Sequence, residues 1–317
     1  MRQLKWLSKN QLKRSRTKQK IAGFTLIELL VAMIIAALII TPLLGFMINI
    51  LDNDRKEQAK TNTDQEIKAA LDYIARDLQQ SVYIYDADGI AAIRSQLPKA
   101  SSADEKKKFF PVLVFWKRQY ISGGLTVGTE TDDTFVYSLV AYYIIKDDDS
   151  TWSKAARIGR FQISNGYGSS DTAINNTRDV GFQLFNLQDE GTLKTKMNNW
   201  TKKSGETYTQ DILPLVDYID QSTTDTTANP APTCSTGQIV PQFTGSGDQV
   251  ATDNVKTRGF YVCVDSTNTV AQVYLRGNAF ARLQNTNLNF DKDNESKKIY
   301  YPEANIRVQG LGFLFTK

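Results

Sequence analysis

A chain of 317 residues with 41% apolar content is long enough to bury one large or two modest cores. It contains no histidine, which excludes Ser-His-Asp and Cys-His catalysis, HExxH zinc sites and histidine proton shuttles, and leaves carboxylate, lysine or tyrosine chemistry only. The net charge of +4 is local: the first 23 residues hold eight basic side chains (Arg2, Lys5, Lys9, Lys13, Arg14, Arg16, Lys18, Lys20) and no acid, so the remainder, with 30 basic and 34 acidic residues, is mildly acidic and lacks the basic stripe that nucleic-acid binding requires.

The first element after the basic segment is an apolar run from Ile21 to Leu51, and residues 24–51 carry a single charge, Glu28. As a helix this stretch reaches roughly 40 Å, enough to cross a hydrocarbon core of about 30 Å with some tilt. The basic flank predicts a cytoplasmic N-terminus and sends everything after Leu51 across the membrane. The run is too long for an ordinary secretory signal, and Gly23 precedes it where a signal peptidase site would follow. A plain single-pass anchor is the alternative, and it must account for Glu28, because a carboxylate at the centre of a membrane helix costs on the order of 2.5–3.5 kcal/mol, less near the end.

Gly23, Phe24, Thr25, Leu26, Ile27 and Glu28 spell G-F-T-L-I-E. This resembles the G-F-T-L-x-E motif of type IV prepilins and type II secretion pseudopilins. The resemblance implies a leader of residues 1–23, cleavage between Gly23 and Phe24 by a prepilin peptidase, and N-methylation of Phe24. It also implies that the new ammonium of Phe24 pairs with Glu28, within one subunit or between neighbours, since a buried carboxylate requires a partner. Partners would be the peptidase, the inner-membrane assembly platform, a major pilin and other minor pseudopilins.

Pro42 and Gly45 interrupt the apolar run and predict a kink or a melted turn, with simple tolerance in a membrane helix as the alternative. Residues 52–86 are free of Gly and Pro, and their apolar side chains at Ile67, Leu71, Ile74, Leu78, Val82 and Tyr85 recur every three or four positions. That spacing predicts an amphipathic continuation of the helix.

The head, residues 87–317, carries seven candidate strands rich in β-branched and aromatic residues: Phe109 to Trp116, Thr134 to Ile145, Ala156 to Ile163, Gly181 to Leu187, Gly259 to Val264, Val270 to Arg276 and Ile306 to Phe315. No second long helix separates them, so the expected class is α+β, a long N-terminal helix on a mostly antiparallel sheet, which is also the pilin-like architecture the motif implies. Residues 221–254 are dominated by Thr, Ser, Asn, Pro and Gly and read as a flexible surface loop. Cys234 lies in that loop and Cys263 in the strand after it. A disulfide between them is expected, with two free, unrelated thiols as the alternative, and closing such a loop is worth roughly 3–4 kcal/mol in the chain-entropy model.

Two further resemblances concern which subunit this is. The segment LDYIARDLQQ, Leu71 to Gln80, is similar to the helix end of J-type minor pseudopilins of type II secretion. Phe110 to Tyr120, Tyr137 to Asp147, Trp152 to Ile163 and Ala271 to Arg282 together look like the cyanobacterial pseudopilin associated with hormogonium polysaccharide secretion. The latter implies service in polysaccharide export and gliding motility, and a head much larger than a major pilin's points to a minor subunit near a tip; a tip module that binds surface, cargo or polysaccharide is the alternative, and a membrane-anchored enzyme a third.

No cofactor, metal site or catalytic residue is expected. Asp132 with Asp133, and Asp147 to Asp149, lack the spacing of a calcium loop and read as solvated turn acids. Glycoside chemistry would need two carboxylates across a cleft, which the sequence does not place. Trp116, Tyr120, Tyr142, Tyr143, Trp152 and Trp200 could stack on sugars, although those in strands fit a core better.

Overall fold

A computed structural model describes residues 23–224, 227–252 and 254–312. The expected leader lies outside the described residues apart from Gly23, and so do the last residues of the strand expected to end at Phe315. The chain divides into two units, with the boundary between Asp54 and Arg55. The first unit is the N-terminal part of helix α1 (Leu26–Gln79), in which every residue from Phe24 to Leu51 is exposed. The helix is unbroken through Pro42 and Gly45, so of the kink, the melted turn and the simple tolerance weighed there, the melted turn does not form. The Thr41 hydroxyl donates to the Ala37 carbonyl at 2.8 Å, one turn back and immediately before the proline that cannot donate.

In the second unit, α1 presents a continuous buried stripe: Ala59, Thr63, Ile67, Ala70, Leu71, Ile74, Ala75, Asp77 and Leu78. The helix stops at Gln79, seven residues short of the expected Asp86, and Ser81–Ile84 forms strand β1. Val82 and Tyr85 fit the helical spacing, but Ser81–Ile84 pairs antiparallel with the strand that begins at Phe109, and Val82, Tyr83 and Ile84 are all buried, as in a strand covered on both faces. Asp86 then caps the short helix α2 (Ala87–Ile93) by accepting from the Gly89 amide at 3.0 Å. A second short helix, α3 (Ala103–Lys108), leads into the sheet.

Strands β2 (Phe109–Val127), β3 (Glu130–Ile145), β4 (Ala156–Ser164) and β5 (Leu213–Ile219) join β1 in a five-stranded sheet of order β1-β2-β3-β4-β5. Strands β6 (Gln238–Val240), β7 (Phe260–Asp265), β8 (Val270–Arg276) and β9 (Glu303–Gln309) form a second, four-stranded sheet in chain order. Every pairing of these strands is antiparallel, and the head is therefore α+β with a long helix packed on antiparallel sheets. Two sheets rather than one is the main departure from expectation. They meet at Asp220, whose amide donates to the Arg276 carbonyl at 2.9 Å, beside a bridge between Ile219 and Gly277. The helix approaches the second sheet at Gly277, where a Cβ would sit 2.4 Å from Thr63 Cγ2, so only glycine fits.

The expected strand at Gly181 to Leu187 does not form. Gly181 has φ +88°, and the segment lies over the first sheet, with Phe182 and Phe185 edge-on to Trp116 at 5.8 and 4.9 Å. Side chains satisfy its carbonyls in place of a ladder: Arg178 donates to Phe182 O at 2.9 Å and the Trp200 indole to Gln183 O at 2.7 Å. The flexible loop expected at residues 221–254 is partly built in: it contains β6, buries Asn229 and Phe243, and bonds back to the body through a bridge from Thr223 to Thr257.

Candidate functional site

Phe24 is 81% exposed, and a Cβ built on Gly23 meets nothing within 4 Å, so the chain here is open to an enzyme and the local fold makes no demand for glycine. Helix α1 begins immediately afterwards with a reciprocal cap. The Glu28 amide donates to Thr25 Oγ1 at 3.3 Å, while the Thr25 amide and hydroxyl both reach Glu28 Oε2 at 3.4 Å. This is a capping box, in which Thr25 and Glu28 each satisfy a donor that the first helical turn leaves free. Glu28 is thereby folded back toward the chain start, one residue from Phe24. A carboxylate near the N-terminus of a helix is also favoured by the helix dipole.

From Leu26 onward the helix is long and apolar enough to cross a membrane, with none of that apolar window buried against the protein. Exposed Leu, Ile and Phe side chains over this length have no aqueous explanation, since burying each such side chain is worth about 1.5–3 kcal/mol.

In the head, Cys234 and Cys263 form a disulfide. Two of the clustered acids, Asp133 and Asp147, are engaged by neighbouring groups. Asp133 accepts from the Tyr120 hydroxyl, from Ser122 at 3.2 Å and from the Gly123 amide at 2.9 Å, which together hold its carboxyl below the usual range. Asp147 receives Arg157 in a fork at 2.7 and 2.6 Å. Of the aromatic residues weighed for sugar stacking, Trp116, Tyr142, Tyr143 and Trp200 are core, whereas Tyr120 is exposed and Trp152 half-buried.

A charge network within the core was missed in the sequence. Asp77 on α1 is buried between Lys117 Nζ at 2.8 Å, Arg160 Nε at 2.7 Å and the Tyr142 hydroxyl at 2.6 Å, from β2, β4 and β3. Burial alone would raise the Asp77 pKa, but the hydrogen bond and charge of Arg160, with the bonds from Lys117 and Tyr142, outweigh it and hold the carboxyl below the usual range. Tyr142 is driven upward, first by its burial and then by the neighbouring carboxylate. The available signal was an acid beside Leu78 and three residues after Ile74, inside the apolar stripe.

The family model of the prokaryotic N-terminal methylation motif matches residues 18–44. Neither a curated protein nor a solved structure matches the chain, so the J-type and hormogonium likenesses rest on the sequence segments alone. The matched motif, the membrane-length apolar helix and the α+β head together support a membrane-anchored type IV pilin-like or pseudopilin subunit.

Proposed function

We propose that the chain is a minor pseudopilin of a type IV pilus or type II secretion-like apparatus, positioned at or near the tip and supporting polysaccharide secretion and gliding motility. The observation that carries the pseudopilin reading is the methylation motif at residues 18–44, set at the start of an exposed apolar helix that opens on the Thr25–Glu28 cap. The minor position is supported by a large two-sheet head, and the export role by the hormogonium-type segments. On this reading the precursor is a single-pass inner-membrane protein with its leader in the cytoplasm and its head in the periplasm.

Cleavage after Gly23 creates an ammonium at Phe24. Glu28 already folds back to the adjacent Thr25 amide, so the new charge forms next to a carboxylate that can receive it. In the membrane this pairing relieves the cost of both charges, and on assembly the same carboxylate can exchange its own ammonium for that of a docking subunit. The axial register of the filament then follows from one ionic contact per subunit.

The deciding measurement is intact mass and N-terminal sequencing of the membrane-extracted protein, with and without the cell's prepilin peptidase. A mature chain starting at methylated Phe24, abolished by Gly23→Ala or by loss of the peptidase, is the expected outcome. A retained leader in normal cells would overturn the reading.

A further inference from the structure

The outer face of the second sheet carries a cleft of about 230 Å³ that the assembly reading leaves unused, its lining including Arg258, Tyr261, Tyr274, Arg276, Glu303 and Asn305. Its floor is aromatic. Tyr261 and Tyr274 are register partners on β7 and β8, and their rings stack with centroids 4.6 Å apart and planes 5° from parallel. Tyr261 is backed by Phe243 and by the disulfide of Cys263 with Cys234, so the tethered loop holds this pair in place. Tyr274 is only half-buried.

Around this floor the polar groups are planar and hydrogen-bonding. Asn305 stands opposite Tyr274 on β9, and its side-chain oxygen accepts from Gln272 at 3.2 Å, which aligns the amide. The Glu303 carboxylate is 58% exposed and reaches Arg276 only at 3.4 Å, because Arg276 is already committed to buried Asp220. Arg258 is half-buried, its Nη1 reaches the Pro230 carbonyl at a long 3.4 Å, and its Nε is buried with no hydrogen-bond partner. A cleft this small, with an amide, a carboxylate and a guanidinium around a tyrosine pair, suits a ligand that has an apolar face and a rim of hydroxyls. A hexopyranose has that shape: its axial C–H bonds meet the negative face of an aromatic ring, and its equatorial hydroxyls both donate and accept.

We propose that this cleft is a saccharide site that takes one hexopyranose unit of a longer glycan, with Tyr274 as the stacking surface and Asn305, Glu303 and Arg258 as the hydroxyl-binding groups. The site belongs to the head alone and stands whether or not the chain is processed at Gly23.

The test uses the full chain in a sugar-free amine-oxide detergent and three probes: cellohexaose, mannohexaose and a galacturonate hexamer. Saturation-transfer NMR is expected to show at least one probe bound, with the strongest transfer to ring C–H protons. Titration calorimetry is expected to show binding weakened about tenfold or more by Tyr274→Ala and by Asn305→Ala, the latter on an edge strand where it leaves the melting temperature unchanged. Tyr120→Ala, at the exposed end of the β2–β3 hairpin, is expected to leave binding intact. Absence of transfer to all three probes overturns the proposal. So does binding that survives Asn305→Ala combined with Glu303→Ala, a pair that decides the matter even where Tyr274→Ala fails to fold.

Discussion

The N-terminal segment up to Asp54 and the head from Arg55 onward share one helix and similar aliphatic side chains, yet they are stabilised in different ways. Before Asp54 the Leu and Ile residues are exposed, and polar contacts such as the Thr25–Glu28 cap and the Thr41 to Ala37 bond are local, spanning three or four positions. In the head the same residue types are buried, and the decisive polar contacts are remote: Asp77 meets Lys117 and Arg160 across 40 and 83 positions. A segment built from local bonds can keep its structure while its surroundings change. A segment built on remote contacts has one arrangement and presents a fixed surface.

The largest effect that should sharpen this contrast comes from Asp77. Asp77→Ala leaves Lys117 and Arg160 buried without their carboxylate and should cost about 3–5 kcal/mol of head stability, read by denaturant unfolding of the detergent-solubilised chain. Asp77→Asn keeps the shape and should cost less. Because the Asp77 pKa is lowered in the fold, its contribution is present above the ordinary carboxylate pKa and is lost as pH falls through the lower folded value. The wild-type melting temperature should therefore fall steeply in acid. That slope should be shallower in Asp77→Asn, and an unchanged slope would remove Asp77 as its source.

Next comes a matched pair on the one helix. Ile74 is fully buried and Ile39 is 54% exposed. Ile74→Ala should destabilise the head by about 2–5 kcal/mol, whereas Ile39→Ala should leave its unfolding midpoint unchanged. Equal losses would show that both halves share a single cooperative unit. The smallest effect belongs to Thr25→Ala, which removes the cap and should weaken the first turn by about 1 kcal/mol, detectable as faster amide exchange at residues 26–28 with no change in the head.

Much of the head was legible before its structure. The strands beginning at Phe109, Ala156 and Val270 start where the β-branched and aromatic runs start, because such residues stand out against their Gly, Asp and Asn flanks. The hairpin of β2 and β3 runs longer than its apolar part, since Tyr120 and Phe135 pair across it while remaining exposed. Its polar end was invisible to a reading based on burial. β1 and the cover at Gly181 to Leu187 exchanged roles for a related reason: an aromatic pattern states that side chains will be buried, but not whether the backbone joins a ladder or lies over one.

Features that act over a few residues can be read along the chain: the basic N-terminal segment, the G-F-T-L-I-E motif, the membrane-length run and the apolar stripe from Ile67 to Leu78. Those are set by composition and by a short period along the chain, which is visible without knowing any neighbour. The division into two sheets, the placing of Asp77 between two cations and the meeting of Tyr274 with Asn305 come from the folded arrangement. Each of those joins residues that are distant in the chain. Register and long-range pairing arise from how whole elements fit together, so no local pattern contains them.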